Sequence, residues 1–257
     1  MRNLAISSRI ALDFKGKDLE SMQVTVNDEN DLISYKDGIL FQHSKENDET
    51  EIFNFCDTFV KEQTNVINEN VSSMVWLSDG RIVISFKSGL LMSYDFGVNL
   101  VEVVGSFPTG LQTCVKSPDD ELLLLVSNDG AIILMTARDF EPLIEFDPED
   151  ATNAAFANVN VGWGAKETQF HGKAGKAARE ISQEVPEEVK EIDDDKTKVV
   201  WRDDGQYFAV NYVSKIDRIR RIRVFNREGQ LQSTSEPVKS LGSCLAWKSL
   251  QGNSCNV

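Results

Sequence analysis

Histidine is almost missing from this chain, with His43 and His171 the only two in 257 residues. Zinc and non-haem iron centres draw on imidazoles or on closely spaced thiolates, and the four cysteines, Cys56, Cys114, Cys244 and Cys255, contain no Cys-x-x-Cys pair. A metal centre is therefore not expected. The thiols read as reduced and cytosolic, since all but the last fall in or near apolar stretches. Long hydrophobic runs are lacking too: Leu122 to Val126 and Ala131 to Met135 are strand-sized, far short of a membrane span. The opening MRNLAISSRIALDFKG is interrupted by Ser7, Ser8 and Arg9, so it has no apolar core for a secretion signal. A cytoplasmic protein without a membrane contact is the expectation. Positive charge is in deficit as well. Lysine and arginine total 27 against 41 acids, and a net charge of -14 opposes phosphate backbones at long range.

Catalytic constellations are also lacking. There is no Gly-x-Ser-x-Gly elbow for acyl transfer. Gly175-Lys176 is followed by Ala177 in place of the Ser or Thr of a phosphate loop, and Phe170 stands where that loop needs glycine. Gly162-Trp163-Gly164 finds Glu167 at the position of its third glycine. The residues point away from an enzyme, a cofactor or a small-molecule substrate.

What the chain does contain is a repeat. Val199 to Val210, VVWRDDGQYFAV, joins an apolar entry, a Trp, an Asp-Gly turn and an apolar exit, which reads as two strands around a tight turn. Met74 to Ser85, MVWLSDGRIVIS, repeats the plan, and TCVKSPDDELLLLV from Thr113 repeats it more weakly, with Val115 in the place of the Trp. Val161-Gly162-Trp163 and Leu245-Ala246-Trp247 are two further apolar-Trp starts. Steps from Trp76 through Val115, Trp163 and Trp201 to Trp247 are 39, 48, 38 and 46 residues. That is the period of propeller blades. The expected fold is all-β, a WD40-like β-propeller of about five blades in an open or truncated ring, forming a single partial domain over 1–257. An open ring leaves strand edges exposed.

Taken in order, a first blade flanks Asp37-Gly38 and runs out into the acidic loop Ser44 to Glu51. The second and third blades hold the turns Asp79-Gly80 and Ser88-Gly89, then Pro118-Asp119-Asp120 and Asn128-Asp129-Gly130. Their strands are apolar on both faces, as stacking between neighbouring blades requires. Residues 180–198 carry eight acids against three lysines around Pro186, the composition of an exposed, disordered loop. The last blade, 241–257, begins at Leu245 and is not finished.

Paired acids such as Asp119-Asp120 and Asp203-Asp204 fit turn capping better than acid-base chemistry. The tryptophans Trp76, Trp163, Trp201 and Trp247 recur at blade period within apolar segments, which favours packing over base stacking. Two basic clusters remain. Lys166, His171, Lys173, Lys176 and Arg179 gather around glycines where a partner backbone or phosphate could approach, and form the candidate partner-binding set. Arg218, Arg220, Arg221, Arg223 and Arg227 punctuate a later hairpin. For both clusters a solvated rim offset by neighbouring acids is the preferred explanation, with partner binding the alternative.

Four strings narrow the propeller further: ARDFEPL from Ala137, VGWGAKETQFHGKAGKAA from Val161, WRDDGQYFAV from Trp201, and RVFNREGQLQSTSEPV from Arg223 followed by LAWK. Together with the opening MRNL they strongly resemble the N-terminal propeller of the largest Elongator subunit family (the IKAP family). The match is order-preserving and spans most of the chain; Lys15 to Thr64 resembles the family loosely, and the likeness ends at Trp247-Lys248. The resemblance implies a non-catalytic scaffold that works with other Elongator subunits in modifying the wobble uridine of tRNA, with catalysis in a different, radical-SAM acetyltransferase subunit. The tRNA would be reached indirectly, through the complex. The alternative is an RNA-binding module contacting tRNA through the basic rim.

Overall fold

The computed structural model describes residues 23–44, 50–55, 70–149, 195–236 and 241–248. Its described elements are strands. The first sheet comprises β1 (Gln23–Val26), β2 (Leu32–Lys36), β3 (Ile39–His43) and β4 (Thr50–Asn54), and the second β5 (Val71–Trp76), β6 (Arg81–Phe86), β7 (Leu90–Asp95) and β8 (Leu100–Ser106). The third comprises β9 (Leu111–Lys116), β10 (Leu122–Ser127), β11 (Ile132–Thr136) and β12 (Pro142–Phe146), and the fourth β13 (Lys198–Trp201), β14 (Tyr207–Val213), β15 (Arg220–Asn226) and β16 (Leu231–Thr234). Each sheet is a four-stranded meander in which sequence neighbours pair. These are propeller blades, as the repeat predicts. Two compact units divide the chain, Met1–Cys114 and Val115–Val257.

Within the first unit, the apolar faces of the first two sheets close on one aromatic core. Tyr35 meets Phe86 edge-on at 5.9 Å between ring centroids, and Phe53 meets Tyr94 at 4.8 Å. Ile33, Leu40, Phe55, Ile82, Ile84 and Met92 fill the space around them. Strands β1 and β5 lie beside one another, so the stack is closest along the first strand of each sheet. The second unit has its own core: Phe208 stacks on Phe225 at 5.5 Å, Phe225 meets Phe146 at 4.9 Å, and Trp201 meets Phe208 at 5.0 Å. Its β10, LLLLVS, is buried at every position. That is why the strand shows no polar-apolar alternation. Each fully buried aromatic or aliphatic side chain contributes about 1.5–3 kcal/mol.

The first hairpin of every sheet turns by the same device. The residue that opens the turn bonds across it, and the fourth turn residue takes a positive φ: Gly80 (88°), Gly205 (67°), but Asn30 (64°) and Asp120 (58°) in the other two sheets. Asn, Asp and Gly tolerate that left-handed backbone. Superposing the turns on their hydrogen bonds, Gly80 N to Leu77 O, Asp120 N to Ser117 O and Gly205 N to Arg202 O, aligns Trp76 and Trp201 with Lys116. This corrects the expectation that Val115 holds the tryptophan position. The Ser-Pro-Asp-Asp turn has the same four-residue length but ends on Asp120 where the Trp turns end on glycine, so matching Ser117 to Ser78 places the register one residue off. Lys116 uses the tryptophan's place to pair with Asp120 at 2.6 Å.

The third and fourth sheets share one core directly, and Trp163 falls among residues 150–194, outside the described residues. Most of the 180–198 loop lies there too; its last residue, Lys198, already belongs to β13. Residues 241–248, where the fifth blade is expected to begin, run with side chains alternately half-buried and exposed. Two bonds tie them to the fourth sheet: Asn211 Nδ2 donates to Gly242 O at 2.9 Å, and Trp247 Nε1 to Val200 O at 2.9 Å.

Candidate functional site

All five candidate partner-binding residues, Lys166, His171, Lys173, Lys176 and Arg179, lie outside the described residues. The stems that carry their segment are described, and both are fastened to the β14–β15 connection. On the incoming side, Lys215 Nζ pairs with Asp147 at 2.6 Å, while Glu149 accepts from Ser214 Oγ and, at 2.8 Å, from the Lys215 N–H. The guanidinium of Arg223 donates to Pro148 O. On the outgoing side, Arg218 pairs with Asp195 at 2.6 Å, and buried Arg220 donates to Lys196 O at 3.0 Å. No sequence signal marks Ser214, Lys215, Glu149 or Asp195 for this clamp, because each partner is far away in the chain.

The second basic cluster is thereby explained. Arg218, Arg220 and Arg223 hold the stems. Arg221 pairs with Asp217 four residues before it, and Arg227 pairs with Asp119 at 2.6 Å and Glu121 at 2.5 Å. An arginine committed to a local carboxylate or carbonyl has little left for a phosphate. These five do not form an open cationic rim.

The paired acids sit in turns, as expected. Asp204 accepts from the Gln206 N–H at 3.0 Å and from Arg202 at 2.6 and 2.9 Å, and these bonds hold its carboxyl below the usual carboxylate range. Desolvation pushes Asp119 and Asp79 up, but the hydrogen bonds of Ser117 and Arg227 to one, and of Arg81 to the other, more than offset it. A carboxyl held ionised in this way is a poor proton carrier at neutral pH. Arg202 also lies over the Tyr207 ring, 4.1 Å from its centroid, with the Trp247 ring at 5.9 Å. Trp201 is buried, and Trp76 is half-buried against Phe96 at 5.1 Å; both serve packing.

Other polar groups point inward. His43 is buried, its Nε2 sharing a 2.9 Å hydrogen bond with Ser34. Burial pushes the Cys114 thiol up to about 12, far from the reactive range. Among the described residues no cluster of three His, Cys, Asp or Glu side chains could hold a metal ion.

Comparison with known proteins agrees with this architecture. The family model of the ELP1 first N-terminal β-propeller matches residues 1–255. Elongator complex protein 1 of Oryctolagus cuniculus is 41% identical over 174 residues, covering 67% of this chain and 13% of that protein. The Schizosaccharomyces pombe protein of the same name is 31% identical over 221 residues, covering 81% and 17%. The chain thus spans less than a fifth of these relatives' length. Among solved structures, Chaetomium thermophilum Raptor is similar over 85% of this chain and 16% of its own, with a TM-score of 0.52 and 14% identity. At that identity the likeness concerns the fold alone.

Proposed function

Given that the chain belongs to the family of the ELP1 first N-terminal β-propeller, we propose that it is a non-catalytic scaffold of the Elongator complex. In this reading it is a protein-interaction propeller that supports wobble-uridine modification of tRNA in the cytoplasm. Its partners are other Elongator subunits, and tRNA is reached through the complex. The observation that carries the reading is the family match over nearly the whole chain. The chemistry of the blades supports it: the turn acids are engaged by neighbouring N–H groups and guanidinium groups, and the described arginine cluster is consumed by internal pairs. A propeller built this way offers shape and edges to partners more readily than reactive groups.

A direct RNA-binding module is the competing reading, and its cationic residues would be Lys166, Lys173, Lys176 and Arg179. Co-purification separates the two. Lys173→Glu with Lys176→Glu should reduce recovery with the other Elongator subunits and leave the melting temperature unchanged. Full recovery by the double variant would remove these residues from the interface.

A further inference from the structure

We propose that the outer edge of β8 is a docking site for an extended, cationic-apolar segment of a partner protein, which adds to the second sheet as a fifth strand. Four outer strands can be compared, and three are blunted. Strand β12 opens with Pro142, β16 has four residues, and β4 is a five-residue strand that begins with the exposed polar pair Thr50 and Glu51, whereas the one charge on the longer β8 is Glu102. Strand β8 has seven residues, LVEVVGS, with no proline and no lysine or arginine. No described strand pairs with its outer side. Natural sheets protect such edges with inserted charge or proline. All four outer pairs contain a register shift, so bulging does not set β8 apart.

The surface is apolar as well as unpaired. Leu100 is 61% exposed and Val103 45%, and Val98 in the preceding turn is 68% exposed. Scattered apolar residues need no explanation, but these three fall within six residues of one open strand and its turn, where Leu100 shares a face with Glu102 and Val103 projects from the opposite face beside Val101. Strand addition supplies main-chain hydrogen bonds along such an edge, with alternate side chains giving specificity.

Charge selects the occupant. Between Lys87 and Lys116 there is no basic residue, whereas Asp95 and Glu102 are both acidic. A second copy of the chain pairing edge to edge would bring like-charged strands together, each on a protein of net charge -14. A segment alternating apolar residues with lysine or arginine meets the valines and the carboxylates at once.

The test uses the full chain and a fluorescent seven-residue peptide alternating valine and lysine, with an N-methylated twin that keeps charge and apolarity but cannot form the ladder. Expected is binding of the first peptide, none of its twin, and a loss of about tenfold in affinity for Val103→Lys or Leu100→Lys. Both positions are exposed, so the melting temperature of at least one variant should stay unchanged. Equal binding of the twin, or unchanged affinity in both variants, overturns the proposal. Concentration-dependent dimers abolished by Val103→Lys would also overturn it, since the occupant would then be a second copy. The experiment contains no Elongator subunit, so its failure leaves the scaffold reading standing.

Discussion

Arg227 reaches from the β15–β16 turn to Asp119 in the β9–β10 turn, Nη1 to Oδ2 at 2.6 Å, across 108 residues of sequence. The same guanidinium bonds Gly205 O at 3.1 Å and Glu121 at 2.5 Å, so three turns of two neighbouring sheets meet on one side chain. Arg227 is only 17% exposed, which fixes its geometry, whereas Asp119 and Glu121 are much more open to water.

Arg227→Ala should therefore cost about 1 kcal/mol, because the pairs are partly screened by solvent. Arg227→Lys should recover only part of that, since an ammonium cannot reproduce the fork of contacts. Urea denaturation followed by tryptophan fluorescence measures both. A neutral Arg227→Ala would mean that the aromatic core alone holds the third and fourth sheets together.

Acid should unfold the protein in a defined window. Asp79, Asp119, Asp129, Asp204 and Asp217 are all held below the ordinary value of 3.8. The unfolded state then binds protons more readily, so the stability these groups contribute is present above that value and is lost as pH falls through their folded values. Lys215 is raised above 10.5 by its hydrogen bond to Asp147, and its contribution is lost only in strong alkali. The melting temperature should be level from neutral pH to about pH 5 and fall below about pH 4. A decline that begins near neutral pH would contradict this assignment to the turn carboxylates.

Two glycines with similar backbones should respond differently. Gly80 and Gly89 have φ of 88° and 98°, but a Cβ on Gly80 would meet nothing within 4 Å, while one on Gly89 would lie 1.9 Å from Phe107 O. Gly80→Ala should cost about 1 kcal/mol for the left-handed backbone. Gly89→Ala must also push the Phe107 backbone aside and break the Phe107 N–H bond to Gly89 O, so a loss of about 3 kcal/mol is expected. Thermal melts of the pair provide the check, and equal losses would contradict the close approach.

Trp201 should matter through its volume and not its indole nitrogen. That N–H is buried without an acceptor, whereas the ring packs on Phe208. Trp201→Ala should cost about 3–5 kcal/mol, and Trp201→Phe much less, because it also removes the unpaired donor. Denaturation midpoints of the two variants test the ranking.

The blade plan was legible where glycine marks the turn, as in Trp76 to Gly80 and Trp201 to Gly205. It is less legible where Asn30 or Asp120 takes the same left-handed position, because these residues mark a positive φ less sharply than glycine does: the turn at Pro118-Asp119-Asp120 can be read from the sequence, but its register cannot. Thus the first turn of the first sheet, Asn27 to Asn30, carries no glycine to signal it, and the sequence match sets Val115 one residue from Lys116, the true counterpart of the tryptophans. That acids offset the arginines is legible in the sequence, but which carboxylate or carbonyl engages each one is not, because the partners lie up to 108 residues away. Only the folded sheets bring those charges together. Likewise, β8 differs from β4, β12 and β16 only once all four are known to be outer edges.

Binding of tRNA to the isolated chain, measured across a range of salt concentrations, tests the scaffold account most directly. With a net charge of -14 and Arg218, Arg221 and Arg227 held by neighbouring carboxylates, the chain alone should show no salt-dependent binding, and should retain tRNA only with the other Elongator subunits present. Tight binding by the chain alone that weakens steeply as salt rises would contradict the scaffold account and establish a direct RNA-binding module.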